Sequence, residues 1–173
     1  VTLGDYMAAR LREEGVSPEH VFVAHNWADK ERLYPMPAGE SRMRDDLGLG
    51  DRFVVLYSGN LGMSHDLEPV CDAISRLYQY RDRLAFLFVG GGVRRRKLED
   101  FVRRNNFGEF VIFRDYVPHD ELAAGLNAGD AGLITILEGT EGLVVPSKLY
   151  AYMAVGLPIL AVSSAPCEVT DIV

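Results

Sequence analysis

The residues around Lys148 have the types and spacing of an anion site. Pro146 and Ser147 mark the start of a helix, since proline suits the first turn and a serine oxygen can accept a free amide hydrogen there. Gly156 and Pro158 mark its end. A cation in the first turn opposes the helix dipole, which favours an anion at that end. A bound phosphate removes the conflict, so Lys148 and Ser147 predict a diphosphate site; the alternative is a solvated lysine near a helix end.

A glycine-containing loop follows the first long apolar run of the sequence. Gly59 and Gly62 stand where the backbone must turn tightly or approach a ligand closely, and the free amides of this loop predict phosphate binding. The alternative is an ordinary strand-to-helix turn with Asn60 in a left-handed conformation. His65 can bond a phosphate or a sugar hydroxyl, although a single histidine near a helix start is also common as a structural or solvated residue.

Three consecutive glycines begin at Gly90 and partly match the dinucleotide-binding fingerprint. The last glycine of that fingerprint is replaced by Arg95, and no acidic residue closes the next strand, so NAD binding is excluded. Gly90 and Gly91 are still predicted to lie close to a bound nucleotide. The basic run 94–97 predicts a solvated helix face.

Two other loops carry groups that suit a nucleotide or a sugar. Tyr116 and Val117 can hold a nucleobase by backbone hydrogen bonds and apolar contact, or the tyrosine can simply pack on the core. Glu138 and Glu141 can accept hydrogen bonds from sugar hydroxyls or balance positive charge in a transition state, or they are exposed loop acids. The sequence shows no catalytic triad and no metal-ligand spacing, so no metal is predicted.

Strands and helices that alternate along the chain must position these loops. Such alternation predicts parallel pairing and right-handed crossovers, hence an α/β fold with a doubly wound, Rossmann-like parallel sheet. Ligands on such sheets bind beyond the carboxyl ends of the strands, where the candidate loops lie. The predicted strands are 53–57, 84–89, 110–113, 131–137 and 159–162, with a short additional one at 21–23.

Composition and charge limit the function classes. The 173 residues, 48% of them hydrophobic, suffice for one core, and a net charge of -7 argues against broad binding to nucleic acid or to anionic lipid. Cys71 and Cys167 show neither a zinc pattern nor a disulfide framework, which fits the cytoplasm. Residues 1–50 are predicted to be a connector or the start of the domain, residues 51–173 a nucleotide-sugar-binding domain, and the chain a part of a longer protein.

Four stretches together resemble the carboxy-terminal half of GT-B glycosyltransferases of family 4, in the branch that acts in bacterial polysaccharide biosynthesis. They are the segments 25–29, 57–62, 88–92 and 146–158. The resemblance implies retaining transfer of a sugar from a UDP- or GDP-sugar, without a cofactor or an essential metal. It also implies that an amino-terminal domain of the same protein binds the acceptor and makes any membrane contact, so that this half alone is inactive.

The resemblance also implies roles for individual residues. It assigns the donor diphosphate to the loop 59–62 and to Ser147, Lys148 and Leu149, and the base to the loop with Tyr116 and Val117. Lys148 and Glu141 would be the catalytic residues. His65, Gly90, Gly91 and Glu138 complete the predicted donor site.

The sequence departs from the family pattern at Ala151. Many relatives carry a spaced pair of glutamates, of which the first contacts the donor sugar and the second the ribose. Here the second position is Ala151, which accepts no hydrogen bond, and the first falls on Leu143 unless the alignment is shifted to Glu141 or Glu138. Two other functions are therefore considered: a non-catalytic nucleotide-binding or interaction module on the same fold, and a sugar-nucleotide epimerase.

Overall fold

The computed structural model describes residues 1–37 and 39–173, which form a five-stranded parallel sheet with helices packed on it. None of these helices combines the length and the apolar character needed to cross a membrane. The strands are β1 (Phe53–Ser58), β2 (Leu84–Val89), β3 (Val111–Arg114), β4 (Ala131–Thr135) and β5 (Ile159–Val162). The helices are α1 (Asp5–Glu13), α2 (Arg42–Asp46), α3 (Glu68–Leu77), α4 (Arg95–Arg104), α5 (Leu122–Leu126), α6 (Lys148–Ala154) and α7 (Glu168–Ile172), with 3₁₀ turns at Pro18–His20, Tyr78–Tyr80 and His119–Glu121.

The order of the strands determines where a crevice for a ligand can form at the edge of the sheet. The order is β3-β2-β1-β4-β5, and all neighbours pair in parallel. The winding direction reverses between β1 and β4, so a crevice forms beyond the carboxyl ends of these two strands. The predicted doubly wound, Rossmann-like sheet is confirmed.

The central strand β1 supplies side chains to both faces of the sheet. Successive side chains of a strand point to opposite faces. Val54 and Leu56 accordingly belong to the core beneath α5 and α6, whereas Val55 and Tyr57 belong to the core beneath α3 and α4. Because both faces are covered, the strand is a continuous apolar run and not an alternating one.

Tyr152 ties α6 to the end of β1. Its side chain is fully buried, and its hydroxyl accepts a hydrogen bond from the amide of Ser58 at 2.8 Å. The ring lies against Gly132 of β4, where a Cβ atom would come within 2.4 Å of it. At the other end of the helix Gly156 has a φ of +68°, which confirms the predicted glycine stop.

The first fifty residues differ in part from the prediction. The strand expected at 21–23 is reduced to one bridge between Thr2 and Val23, and Phe22 is 65% exposed. An isolated pair of short extended segments offers too few hydrogen bonds and too little burial for a regular strand. Leu49 nevertheless belongs to the core, and Arg44 pairs with Asp130 at 3.0 Å. The division of the chain at residue 50 stays a prediction.

Replacing Gly132 by alanine tests the packing that places α6. We expect Gly132→Ala to lower the free energy of unfolding by about 1–3 kcal/mol, because the new methyl group overlaps the Tyr152 ring in a tightly packed interior. Urea denaturation measures the change. Gly108→Ala is the matched control, since a Cβ atom at Gly108 has no neighbour within 4 Å. Equal effects of the two substitutions would contradict the expectation.

Candidate functional site

A cavity of about 440 Å³ opens at the crevice beyond β1 and β4. Its lining comes from the loops after β1 and β3, from α5 and from the start of α6. Cavities of this size at the carboxyl edge of a doubly wound sheet commonly bind small molecules. Eight of the residues predicted from the sequence line it: Gly59, Asn60, Gly62, His65, Tyr116, Val117, Ser147 and Lys148.

The ammonium group of Lys148 is buried at the inner end of this cavity. Its Nζ atom lies 3.4 Å from the centroid of the Tyr57 ring and has no hydrogen-bond partner among the described residues. Gly59 lies alongside, and a Cβ atom there would come within 3.5 Å of the lysine Cε atom. A buried ammonium with three unused donors is costly, and an anion entering the cavity would offset that cost.

Two effects shift the pKa of Lys148 in opposite directions. Burial disfavours the charged form and lowers the pKa of Lys148 to about 7. The face of the Tyr57 ring carries negative partial charge and favours the ammonium form. Near neutral pH the lysine therefore exchanges readily between its two forms, and a bound phosphate would hold it in the charged one.

His65 is part of the same buried group. Its Nδ1 atom donates to the carbonyl oxygen of Thr135 at 3.0 Å, and its ring meets the Tyr57 ring edge-on with centroids 5.5 Å apart. Burial, followed by the nearby charge of Lys148, lowers the pKa of His65. A neutral ring that donates from Nδ1 leaves Nε2 as a hydrogen-bond acceptor.

The glycines after β1 and β2 allow two loops to touch. The Leu61 amide donates to the carbonyl oxygen of Gly91 at 2.7 Å, and a Cβ atom at Gly90 would lie 2.2 Å from the carbonyl oxygen of Gly59. Gly59 and Gly90 both have positive φ angles, +128° and +123°. Asn60 has no positive φ angle, so the alternative of a left-handed asparagine is wrong. The adjacent Gly59 takes the positive φ instead, because glycine adopts such an angle at lower cost.

Gly90 and Gly91 do not line the cavity in the part of the chain that the structure describes. Gly90 lacks a side chain because it packs on the backbone of Gly59, and Gly91 lies against the Tyr116 ring. The prediction that the two glycines contact a nucleotide gains no support from the cavity.

The basic run 94–97 is only partly a solvated helix face. Arg94 donates to the carbonyl oxygen of His65 at 2.8 Å, and Arg95 pairs with Asp115 at 2.7 Å, so both guanidinium groups fix the loops.

The loop after β3 forms the outer wall. Tyr116 is 61% exposed, and its ring covers Gly91, where a Cβ atom would lie 3.1 Å away. Val117 packs against the core and lines the cavity. The structure adds His119, which the sequence analysis missed although it follows the same loop; a lining role for it depends on the 3₁₀ turn that begins there.

Four residues predicted for the donor site lie in or near α6, and the structure places them in different environments. Ser147 lines the cavity, but its hydroxyl makes no capping hydrogen bond, contrary to the prediction from its position. Leu149 is fully buried in the core, and its amide donates to the carbonyl oxygen of Pro146. Glu138 is exposed outside the lining, and Glu141 accepts a hydrogen bond from Ser164 at 3.3 Å. Roles for these acids therefore stay predictions.

A cluster of possible metal ligands lies outside this cavity. Atoms of Asp5, His25 and Glu168 lie within 4.8 Å of one another, a grouping that the sequence analysis did not predict because these residues are far apart along the chain. Asp5 and Glu168 are the first residues of α1 and α7, where a carboxylate offsets the positive end of the helix dipole. Glu168 also accepts a hydrogen bond from the Tyr6 amide at 3.4 Å. Helix starts thus account for the positions of both acids, and Glu168 has the Tyr6 amide as a further partner.

Comparison with known proteins gives a match over most of the chain. Residues 52–172 match the family described as Glycosyl transferases group 1. The probable glycosyltransferase WbjE of Pseudomonas aeruginosa is 31% identical over 179 residues, which cover 100% of this chain and 42% of that protein. WcaI of Escherichia coli (strain K12), by its name a colanic acid biosynthesis glycosyl transferase, is 34% identical over 158 residues, 90% of this chain and 38% of that protein.

A solved structure shares the fold. The crystal structure of Anabaena Alr3699/HepE in complex with UDP-glucose matches 99% of this chain and 46% of its own, with a TM-score of 0.79 and 19% identity. The chain thus spans less than half the length of each of these three proteins. This agrees with the prediction that the sheet is one half of a GT-B fold.

The protonation of Lys148 predicts a specific dependence of stability on pH. Below about pH 7 the lysine is charged in both the folded and the unfolded chain, and the folded chain bears the full cost of burial. Between about pH 7 and the ordinary lysine pKa of 10.5 the folded form is neutral, so this cost falls as the pH rises. We expect Lys148→Met to stabilise the fold more at pH 6 than at pH 9.

The expected difference between the two pH values is roughly 3 kcal/mol, since the cost falls over about two pH units, from pH 7 to pH 9, and each unit corresponds to about 1.4 kcal/mol. Urea denaturation of both proteins at pH 6 and pH 9 measures it. Lys97→Met, at an exposed position on α4, serves as the control. A stabilisation of Lys148→Met that is equal at both pH values would rule out a buried lysine that titrates near neutrality.

Proposed function

The chain belongs to the family Glycosyl transferases group 1, and from this we propose that it is the donor-binding domain of a glycosyltransferase. The donor is a nucleoside-diphosphate sugar. The observation that carries the proposal is the buried Lys148 ammonium, which faces a cavity at the switch point of the sheet without a hydrogen-bond partner in the described chain.

The diphosphate would bind between Lys148 and the loop after β1. This end of the cavity offers the ammonium group, the hydroxyl of Ser147 and the backbone of Gly59 and Asn60. An ammonium and hydroxyl donors complement phosphate oxygens, and the glycine lets the backbone come close to them. Lys148 would also stabilise the negative charge that develops on the leaving diphosphate, which is the catalytic role proposed for it.

The nucleoside would lie toward the loop after β3. Tyr116 and Val117 offer a ring, an apolar side chain and backbone groups, which suit a flat base that needs both stacking and hydrogen bonds. These features suit a pyrimidine and a purine alike, and the donor that we propose is a UDP-sugar or a GDP-sugar. The solved HepE complex contains UDP-glucose, which supports this class of donor.

The transferred sugar would lie near the loop between β4 and α6. Glu141 and Glu138 are in this loop, and Val144 of the same loop lines the cavity. We propose that the loop turns one of these carboxylates toward the sugar when the donor binds, with Glu141 acting in catalysis. Transfer would proceed with retention, to an acceptor held by an amino-terminal domain of the same protein. The chain by itself would bind the donor without transferring the sugar.

The biological setting follows from the relatives. The name of WcaI places that protein in colanic acid biosynthesis, which supports a role in polysaccharide biosynthesis for this chain. Cys71 and Cys167 are both free thiols, as expected in a reducing compartment, and a cytoplasmic location is proposed on this basis.

A non-catalytic nucleotide-binding module is the second candidate. The observation that favours it is the position of Glu138 and Glu141 outside the cavity lining of the described chain. Both candidates bind a nucleotide at the same place, but they differ in sugar transfer. Substitution of Glu141 by glutamine in the complete protein separates them, because it would lower transfer without weakening nucleotide binding only if the domain is catalytic.

Calorimetric titration of UDP, GDP and their sugars into the chain tests the binding site. We expect at least one of these nucleotides to bind, and Lys148→Ala to weaken its binding about tenfold or more, as expected for the loss of a charged hydrogen-bond donor. Lys97→Ala, on the exposed side of α4, should leave the affinity unchanged. The proposal fails if neither nucleotide binds, or if both lysine variants bind as tightly as the unmodified chain.

A further inference from the structure

Asp5, His25 and Glu168 bring one ring nitrogen and two carboxylate groups together outside the cavity. One atom from each of the three residues lies within 4.8 Å of the other two. The Nδ1 atom of His25 is 3.5 Å from the Oε1 atom of Glu168. Two ligand atoms that each lie about 2.1 Å from a tetrahedral zinc ion are about 3.4 Å apart. The histidine and the glutamate therefore already have the spacing of two zinc ligands.

Glu168 is the fixed member of this group. Its side chain is 8% exposed, and its Oε2 atom accepts the hydrogen bond from the Tyr6 amide, so that Oε1 is the oxygen next to His25. Gly4 leaves room for the carboxylate, because a Cβ atom at Gly4 would come within 2.2 Å of it. Asp5 and His25 are exposed. An ion can therefore enter from solvent, and these two side chains are free to adjust around it.

The negative charge of the two acids is largely unbalanced. In the part of the chain that the structure describes, neither Asp5 nor Glu168 forms an ion pair with a lysine or an arginine. The starts of α1 and α7 offset only part of this charge, since the end of a helix carries about half an elementary charge. Buried carboxylates are usually paired with a cation or coordinate a metal, and a divalent ion would balance both acids at once.

Tyr150 provides an independent observation beside the same group. Its hydroxyl is buried and has no hydrogen-bond partner among the described residues. Burial, and then the nearby charge of Glu168, raises the pKa of Tyr150, whereas the adjacent Asn26 amide lowers it. The hydroxyl thus lies close to Glu168 and to the chain neighbour of His25. Buried hydroxyl groups normally have a partner, and a water molecule bound to a metal ion at this group would provide one.

We propose that Asp5, His25 and Glu168 form a binding site for a divalent metal ion, with zinc preferred. Zinc accepts one imidazole nitrogen and two carboxylate oxygens as ligands and leaves a fourth position for water. Magnesium and calcium prefer sites made of oxygen atoms alone. The three residues do not line the cavity, so the ion would take no part in sugar transfer. The inference is independent of the proposed function.

The ion would connect three segments that are distant in the sequence. Asp5 begins α1, His25 follows the bridge between Thr2 and Val23, and Glu168 begins α7. A metal that binds the folded chain and not the unfolded chain stabilises the fold. The site would therefore fasten the first 25 residues to the end of the sheet domain.

Calorimetric titration of zinc chloride into the chain, after treatment with a chelator, tests the site. We expect one zinc ion per chain, and at least tenfold weaker binding of magnesium or calcium chloride. His25→Ala should weaken zinc binding about tenfold or more, because even changes to residues behind a metal ligand cost that much. His20→Ala is the matched control, since it removes an exposed histidine from the nearby 3₁₀ turn and should leave the affinity unchanged.

An acid on α1 provides the second arm. We expect Asp5→Asn to weaken zinc binding about tenfold or more, and zinc to raise the Tm of the unmodified chain but not that of this variant. Glu13→Gln removes the same charge from the exposed end of α1 and should behave like the unmodified chain.

Two results would overturn the inference. One is the absence of zinc binding by the unmodified chain. The other is equal zinc affinity of the unmodified chain, His25→Ala and Asp5→Asn, which would mean that zinc binds elsewhere on the chain. If His25→Ala does not fold, as judged by circular dichroism, Asp5→Asn decides alone. Failure of UDP and GDP to bind would overturn the proposed function and leave the metal site standing.

Discussion

The contact between Tyr152 and Gly132 is the constraint on which the site depends. A tyrosine ring can lie flat on β4 only where the strand lacks a side chain, and its hydroxyl then reaches the backbone at the end of β1. This fixes α6 across the switch point of the sheet. Lys148 stands one turn before Tyr152 on the same helix, so the contact also brings the lysine to the ring of Tyr57.

The buried lysine shows how a binding site can oppose the stability of the fold. An ammonium group without a hydrogen-bond partner destabilises the folded chain, and the Tyr57 ring offsets only part of that cost. An anion that entered the cavity would interact strongly with this group, because little water remains to screen the charge. On the proposed function, the lowered pKa of Lys148 would couple binding of a diphosphate to uptake of a proton near neutral pH, since the anion favours the charged form.

The glycines of the two loops were predicted as ligand contacts, but they have different structural roles. Gly59 has a φ of +128°, which residues with a side chain rarely adopt, and it lies beside the side chain of a lysine that is 89 positions later in the sequence. Gly90 lies against the backbone of Gly59 and lets the loops close on each other. The backbone angle of Gly59 and the close backbone contact of Gly90 both require a residue without a side chain. The sequence therefore showed where glycine was needed and left the reason open.

The sequence by itself determined three features of this protein: the alternation of strands and helices, the glycine stop at Gly156 and the position of Lys148 at a helix start. These features depend on residues close together in the chain, where local propensity and hydrophobic periodicity act. Only the tertiary structure decided that the Lys148 ammonium is buried, that His65 donates to the carbonyl oxygen of Thr135, and that Ala151 and Leu122 pack against the same core cluster. Those properties depend on packing between distant segments, and no local pattern encodes the distances that packing sets.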